Sequence, residues 1–316
     1  MSPERRRSPS RRAAPAAAGG AAVRVAGVTV THPDKVWWPE ERITKLEVVR
    51  FYAAIASRLL PWIDDRPLAA ERCPEGMRGE CFFQKNFADG LPAGVRTAPL
   101  AAASAGRTVN YVVGGSIKTL LALVNLGCIA VHVMNCRTGS RERPDWIAFD
   151  LDPGSGRFAD AAKAGRLLRE IIEEHGLSSY PKTSGGRGLH VLVPLRRGPT
   201  QDAVRAFAQA VGRSLAERAP ELVTVEMSKA KRRGRVFADA LRNAFGQTIV
   251  APYSVRRRPK APVSTPLAWD EVDPRLDPAR YNIRTFESRL AGPDPWADLW
   301  KHRQALPELR ADTRRR

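Results

Sequence analysis

The sequence predicts an α/β (α+β) fold: a mixed or antiparallel sheet abutted by an N-terminal α/β part. Three observations carry this expectation. Apolar runs of strand length alternate along the chain with segments whose apolar residues recur at helical spacing. At 316 residues the chain is long enough to bury a sizeable core. The run Trp146-Ile147-Ala148-Phe149 reads as a buried strand and delivers two carboxylates, Asp150 and Asp152, before Pro153 and Gly154 stop it.

In chain order, residues 1–22 are Arg, Ser, Pro, Ala and Gly with no apolar core of a secretory signal, and read as a disordered basic arm. Folding is expected to begin with a strand over Arg24–Thr31. Thr44 followed by Glu47 is a capping-box pattern, which opens an amphipathic helix with Val48, Phe51, Tyr52, Ile55 and Leu59 on one face. Ahead of the cap, His32, Lys35 and Lys45 lie near Trp37 and Trp38, either as a small phosphate pocket or as solvated lysines on a turn. Short strands follow around Leu68–Arg72, Cys81–Lys85 and Thr108–Val112. In Phe82-Phe83-Gln84-Lys85, alternation lets one ring enter the core while the other faces a base, or both serve the core.

Ser116 caps a helix that Gly127 stops, and a strand with His132 at its centre comes next. A lone strand histidine is structural unless its strand neighbours that of Asp150. Helices are expected over Asp160–His175 and Asp202–Ala219. Between them, the strands of SSYPKT and HVLVPL flank Ser184-Gly185-Gly186-Arg187-Gly188. The strand Arg235–Asp239 presents a third aspartate among basic clusters, Lys229 to Arg235 and Arg256 to Lys260. From Ala261 the chain is Pro-rich and is expected to pack on the outside. The main body spans 23–300, followed by a basic tail over 301–316.

The net charge of +19 is clustered, with five arginines against one glutamate in residues 1–22 and four arginines against one aspartate in 310–316. The basic clusters in the body point to a nucleic acid or another polyanion. No apolar run is long enough for a membrane helix, so a cytoplasmic protein without membrane partners is expected. The four cysteines form two C-x7-C pairs, Cys73/Cys81 and Cys128/Cys136. Buried free thiols are the better reading, with zinc left open for Cys73 and Cys81.

Side chains two apart on a strand share a face, so Asp150 and Asp152 point together and repel unless a cation joins them. Oxygen ligands of this kind suit Mg²⁺ or Mn²⁺. With Asp239, three strand-end carboxylates can hold two divalent ions for phosphoryl or nucleotidyl transfer. The SGGRGLH loop lets backbone N–H groups approach an anion, and Ser184, Arg187 and His190 can add bonds to a triphosphate. It is neither a Walker loop nor a dinucleotide fingerprint.

Four motifs in this order, DLDPG (150–154), TSGGRGLH (183–190), VFADALRN (236–243) and IVAPYSVR (249–256), resemble the polymerase domain of bacterial DNA ligase D, within the archaeo-eukaryotic primase superfamily. The resemblance covers roughly Val25 to Phe286 and implies a catalytic sheet of RNA-recognition-like topology. It implies Asp150, Asp152 and Asp239 as metal ligands and catalytic residues. It implies Ser184, Arg187 and His190 on the nucleotide phosphates, Arg256 near the incoming nucleotide, and His132, Phe82 and Phe83 lining the nucleotide and template pocket. Lys35 and Lys45 stand where the family binds a DNA 5′-phosphate.

The implied activity is addition of nucleotides, preferably ribonucleotides and with manganese or magnesium, to a primer at gapped or broken DNA in non-homologous end joining. The implied partners are the Ku end-binding protein and a separate DNA ligase, at the nucleoid in the cytoplasm. Departures from the pattern are Arg187 for lysine, small Ala238 and Ala240, and His32 in a place often held by asparagine. No Lys-x-Asp-Gly ligase motif follows, so a stand-alone relative or one module of a split system is expected. The rivals are a non-catalytic module that bridges 5′-phosphorylated ends and a metal phosphoesterase. The first needs no carboxylate triad, and the second needs no triphosphate cradle.

Overall fold

The computed structural model describes residues 22–87, 89–101 and 108–308. Almost all of the expected basic arm, and residues 309–316 of the expected tail, lie outside these residues. The strands are β1 (Arg24–Val25), β2 (Val28–Thr29), β3 (Val36–Trp38), β4 (Ile43–Thr44), β5 (Pro67–Arg72), β6 (Phe82–Gln84), β7 (Thr97–Ala101), β8 (Thr108–Val113), β9 (Cys128–Val133), β10 (Trp146–Pro153), β11 (Tyr180–Thr183), β12 (Leu189–Pro194), β13 (Val223–Thr224), β14 (Val236–Asp239) and β15 (Ile249–Val250). The helices are α1 (Lys45–Ala54), α2 (Ala56–Ile63), α3 (Ile117–Asn125), α4 (Phe158–Glu174), α5 (Gln201–Arg218) and α6 (Phe286–Ala291).

The predicted capping box is present. Glu47 N donates to Thr44 Oγ1 (3.2 Å) and Thr44 N donates to Glu47 Oε2 (2.7 Å), which contributes about 1 kcal/mol to the start of α1. The helical stripe Val48, Phe51, Tyr52, Ile55 and Leu59 is buried as expected. It is divided between α1 and α2 at Ile55, whose N–H still reaches Phe51 O, so the hydrogen-bond register carries across the break. The strand expected over Arg24–Thr31 is instead a hairpin, β1–β2. Ala26 and Gly27 both take positive φ (45° and 82°), the geometry of a two-residue turn that matches strand twist.

Two sheets organise the molecule. One has the order β15-β9-β5-β8-β7, with β6 paired to β5. The other has the order β11-β12-β10-β14-β13, antiparallel except where β13 meets β14. Its chain order, β10-α4-β11-β12-α5-β13-β14, contains the expected RNA-recognition-like arrangement with β13 added at the edge. Alternation along β10 explains its place. Ile147, Phe149 and Leu151 pack with Leu168 and Ile171 of α4 and Phe207 and Leu215 of α5, each burial contributing about 1.5–3 kcal/mol. Trp146 and Ala148 point the other way, into a core shared with Ile129 and Val131 of β9 and with α1. Asp150 and Asp152 continue this second face, toward the other sheet.

His132 lies on β9, whose neighbours are β5 and β15, so the condition of a strand next to that of Asp150 is not met. Two expectations are corrected. Residues 261–267 are buried rather than external. Thr183 N donates to Thr265 O and Thr265 N donates to Thr183 Oγ1, so this segment covers the free edge of β11 and satisfies its backbone. Cys73 and Cys81 are joined in a disulfide and are neither free thiols nor a zinc pair. The loop between them turns at Gly76 (φ +85°), where an added Cβ would meet the Trp37 backbone at 2.8 Å. Cys128 and Cys136 are free and buried as expected, and burial raises the Cys136 thiol to about 11. Gln304 bonds to Pro194 and to Ser178, so the chain remains packed on the catalytic sheet at that point.

Candidate active site

Four side chains form a row across the catalytic sheet. Lys182 on β11 stands opposite His190 on β12, His190 opposite Asp150 on β10, and Asp150 opposite Asp239 on β14. Directly opposed residues of antiparallel strands project to the same face, so pairing alone brings the row together. His190 Nε2 lies 3.3 Å from Asp150 Oδ1. Arg242, on the turn after β14, places Nε 3.2 Å from Oδ2 of both Asp150 and Asp239.

Burial opposes ionisation of Asp150, yet His190 and Arg242 hold its carboxyl well below the usual range. Burial raises the Asp239 carboxyl despite the attraction of Arg242. Asp152 is more open, its side chain 62% exposed with Arg232 Nη1 at 3.9 Å, and burial together with the Asp150 charge raises it. Arg232 itself lies on the Phe237 ring, 3.7 Å from the centroid.

Asn243 fixes this row from behind. Its Oδ1 accepts from Ala148 N (2.8 Å), and its Nδ2 donates to Ala148 O (2.7 Å) and Ala240 O (2.9 Å). The fully buried amide therefore serves the β10 backbone just before Asp150, where the ladder to β14 has ended.

The loop between β11 and β12 is closed by Ser184 N donating to Gly188 O. Ser184 Oγ accepts from Gly186 N (3.2 Å) and Gly188 N (3.1 Å), so its own hydrogen is the group it can offer a phosphate. Gly185 takes φ +70°, and a Cβ there would strike Arg256 Cγ at 2.4 Å. That close approach lets Arg256 Nη1 donate to Ser184 O (3.3 Å) and lie along the loop. Arg187 is exposed and leans toward Gly156, in the turn after Asp152.

A cleft of about 550 Å³ opens between the two sheets, lined by Asp150, Asp152, Ser184, Arg187, His190 and Arg256 from one side and by Phe83 and His132 from the other. His132 thus reaches the site across the cleft, although its strand is not a neighbour of β10. Its Nε2 and the Nε of Arg256 are buried without a hydrogen-bond partner, which a polar ligand would supply. Burial, with Arg256 next, holds the His132 imidazole well below its ordinary value and hence neutral. Neither phenylalanine enters the core, which corrects the expectation that at least one does. Phe83 (57% exposed) meets His132 edge-on at 5.1 Å, and Phe82 (43% exposed) lies under Arg72. Their strand, β6, is a short edge strand off β5.

Lys35 and Lys45 are neighbours, joined by Lys45 N donating to Lys35 O. Lys35 Nζ pairs with Glu75 at 2.6 Å, and the buried Lys45 donates to Thr31 O (2.6 Å) and Thr31 Oγ1 (3.0 Å). Burial and the Lys35 charge lower Lys45 to about 8. His32 adopts φ +49°, a left-handed conformation that asparagine also favours. Trp38 Nε1 donates to Arg258 O (2.7 Å), which ties this segment to an arginine of the cleft.

Among the described residues, no three carboxylate, imidazole or thiolate groups are already gathered as a metal site. The space between Asp150 and Asp239 is taken by the Arg242 guanidinium. That guanidinium is a stand-in cation: the two carboxylates converge on one positive charge, and all-oxygen donors suit Mg²⁺ or Mn²⁺. The residues present therefore fit divalent ions.

Residues 44–296 match the family model for LigD, primase-polymerase domain. The chain belongs to that family. It is 37% identical over 303 residues to the multifunctional non-homologous end joining protein LigD of Pseudomonas aeruginosa, covering 94% of this chain and 36% of that protein. It is 32% identical to the bifunctional LigD of Bacillus subtilis, covering 88% of this chain and 45% of that protein. The polymerase domain of Mycobacterium tuberculosis ligase D, solved in complex with DNA, superposes with a TM-score of 0.78 at 32% identity, covering 84% of this chain and 94% of that one. The chain therefore spans less than half the length of these curated relatives. Its fold is that of the archaeo-eukaryotic primases, as expected.

Within this LigD primase-polymerase domain, the sequence did not single out Lys182 or Arg242 as parts of the site, nor Ser264, whose Oγ accepts from Lys182 Nζ at 2.6 Å. One signal was available for Lys182. It stands as far before the SGGRG loop as His190 stands after it, so a hairpin about that loop opposes the two. The spacing of Arg242 ties it to Asp239 alone, three residues earlier, while its contact with Asp150 and the place of Ser264 depend on non-local packing and leave no such trace.

Proposed function

We propose that this chain is a DNA-dependent nucleotidyltransferase that adds nucleotides, ribonucleotides in preference, to a primer 3′-hydroxyl at gapped or broken duplexes in non-homologous end joining. The observation that carries this reading is the convergence of Asp150 and Asp239 on one cation, in the same cleft as the Ser184–Gly188 loop. Family membership and the likeness to a polymerase domain held on DNA support it.

In this reading Asp150, Asp152 and Asp239 would hold two divalent ions. The ions supply positive charge that lowers the pKa of the primer hydroxyl and stabilises the departing pyrophosphate. The Ser184 hydroxyl, Arg187, His190 and Arg256 hold the triphosphate so that its α-phosphorus lies in line with the hydroxyl. A bond forms from the primer oxygen to that phosphorus as the bond to pyrophosphate breaks. His132 Nε2 offers a partner to the sugar or base, and Phe83 offers a ring face to a template base. Lys35 and Lys45 take the 5′-phosphate across the gap. Ku and a DNA ligase activity complete end joining in this reading, at the nucleoid in the cytoplasm. Among the described residues, no helix is long and apolar enough to cross a membrane.

The test is extension of a labelled primer on a 5′-phosphorylated gapped duplex, with NTPs or dNTPs and Mn²⁺ or Mg²⁺ in parallel. Metal-dependent extension, stronger with NTPs, is the expected result. Tight binding to the gap with no extension under any condition would replace this reading with a non-catalytic end-bridging module.

A further inference from the structure

Lys182 is fully buried at the end of the catalytic row. Lysine is among the side chains least often buried completely, so its polar atom must answer a specific need there. Its Nζ lies 2.6 Å from Ser264 Oγ and 2.9 Å from His190 Nδ1. Ser264 Oγ gives its own hydrogen to Thr183 O at 2.8 Å, so toward Lys182 it can only accept. An amino group, charged or neutral, has an N–H for Ser264 and another for His190.

We infer that Lys182 is a positioning residue for nucleotide binding: it donates to His190 Nδ1 and so fixes the imidazole with its hydrogen on Nε2, facing Asp150 and the cleft. The inference rests on the nucleotidyl-transfer reading and deepens it. Both partners that Nε2 can meet on that side, the carboxylate of Asp150 at 3.3 Å and the phosphate oxygens of a nucleotide, are acceptors. A hydrogen on Nε2 makes both contacts attractive, whereas the other tautomer would turn a lone pair toward each. The tautomer is therefore set from behind, by a residue that touches neither nucleotide nor Asp150. Ser264 comes from the segment that covers the edge of β11, and it holds the lysine to this task.

The test uses Lys182→Met, which keeps the side-chain length and removes the N–H donors. Long-range ¹H–¹⁵N spectra of histidine-labelled protein report which ring nitrogen of His190 carries hydrogen, and steady-state extension reports KM and kcat. In the wild type the expected signature is a protonated Nε2 and an acceptor Nδ1. In Lys182→Met that signature shifts toward the other tautomer, and KM for the nucleotide rises about tenfold, with kcat changed less than about twofold. A folded Lys182→Met with an unchanged His190 spectrum and unchanged KM would overturn the inference. Should that variant fail to fold, the wild-type spectrum decides alone, because a hydrogen on Nδ1 excludes donation by Lys182. A wild type that extends primers with its hydrogen on Nδ1 overturns this inference only. A wild type that neither binds nor incorporates nucleotides overturns the nucleotidyl-transfer reading and this inference with it.

Discussion

Asp150 and Asp239 are directly opposed residues of the antiparallel pair β10–β14, two carboxylates placed side by side by strand register alone. Two such carboxylates repel when both are ionised, and here Arg242 lies between them and relieves that repulsion.

Removing either carboxylate should abolish catalysis and leave DNA binding nearly intact, because in the proposed reading the DNA backbone is held by basic side chains and neither carboxylate takes part in that contact. Asp150→Ala and Asp239→Ala are each expected to lower primer extension roughly a thousandfold or more. Fluorescence anisotropy on gapped duplex should change less than about threefold. Extension near the wild-type rate by either variant would remove the proposed metal ligands.

In the proposed mechanism a divalent ion would have to compete with Arg242 for the same two carboxylates. Arg242→Gln is therefore expected to tighten Mn²⁺ binding by about tenfold, a modest figure because the guanidinium is partly solvated and screened. Electron paramagnetic resonance of free Mn²⁺ during titration reads this without any turnover. Equal affinity in the two proteins would mean that the guanidinium leaves the site at no cost.

Lys45 titrates near 8 because it is buried beside Lys35. Its folded-state pKa lies below the ordinary lysine value, so the ammonium is present below about 8 and is lost as pH rises through that point. The preference for 5′-phosphorylated over unphosphorylated gaps should fall between pH 7 and pH 9. In Lys45→Ala the preference should be weak already at pH 7 and change little up to pH 9. A preference that stays constant across this range would take Lys45 out of phosphate recognition.

Asn243→Ala should destabilise the fold by about 3 kcal/mol. It leaves the buried N–H and C=O of Ala148 without the partners that Asn243 supplies, at about 1–3 kcal/mol each. Urea denaturation should show a lower midpoint with an unchanged slope. A loss below about 1 kcal/mol would indicate that water replaces the amide.

What could be read from the sequence was local. The capping box of Thr44 and Glu47 involves residues three apart, and the facing of Asp150 and Asp152 follows from a two-residue period. Asp150, Asp152 and the loop of the second motif line one cleft, with Asp239 beside them as the strand partner of Asp150.

Tertiary structure decided the rest, because each remaining feature depends on residues far apart in the chain. His132 was expected to matter only beside the Asp150 strand, yet it reaches the cleft from the opposing sheet. Arg242 sits between two carboxylates that its own spacing ties to only one of them. Ser264, in a stretch expected outside, is buried because β11 has a free edge that needs backbone partners. A one-residue shift of β11 against β12 would turn Lys182 away from His190. Sequence by itself determined which residue types and local faces were available; long-range pairing and packing determined which of them meet, since those contacts depend on closing the chain over many residues and filling a shared core.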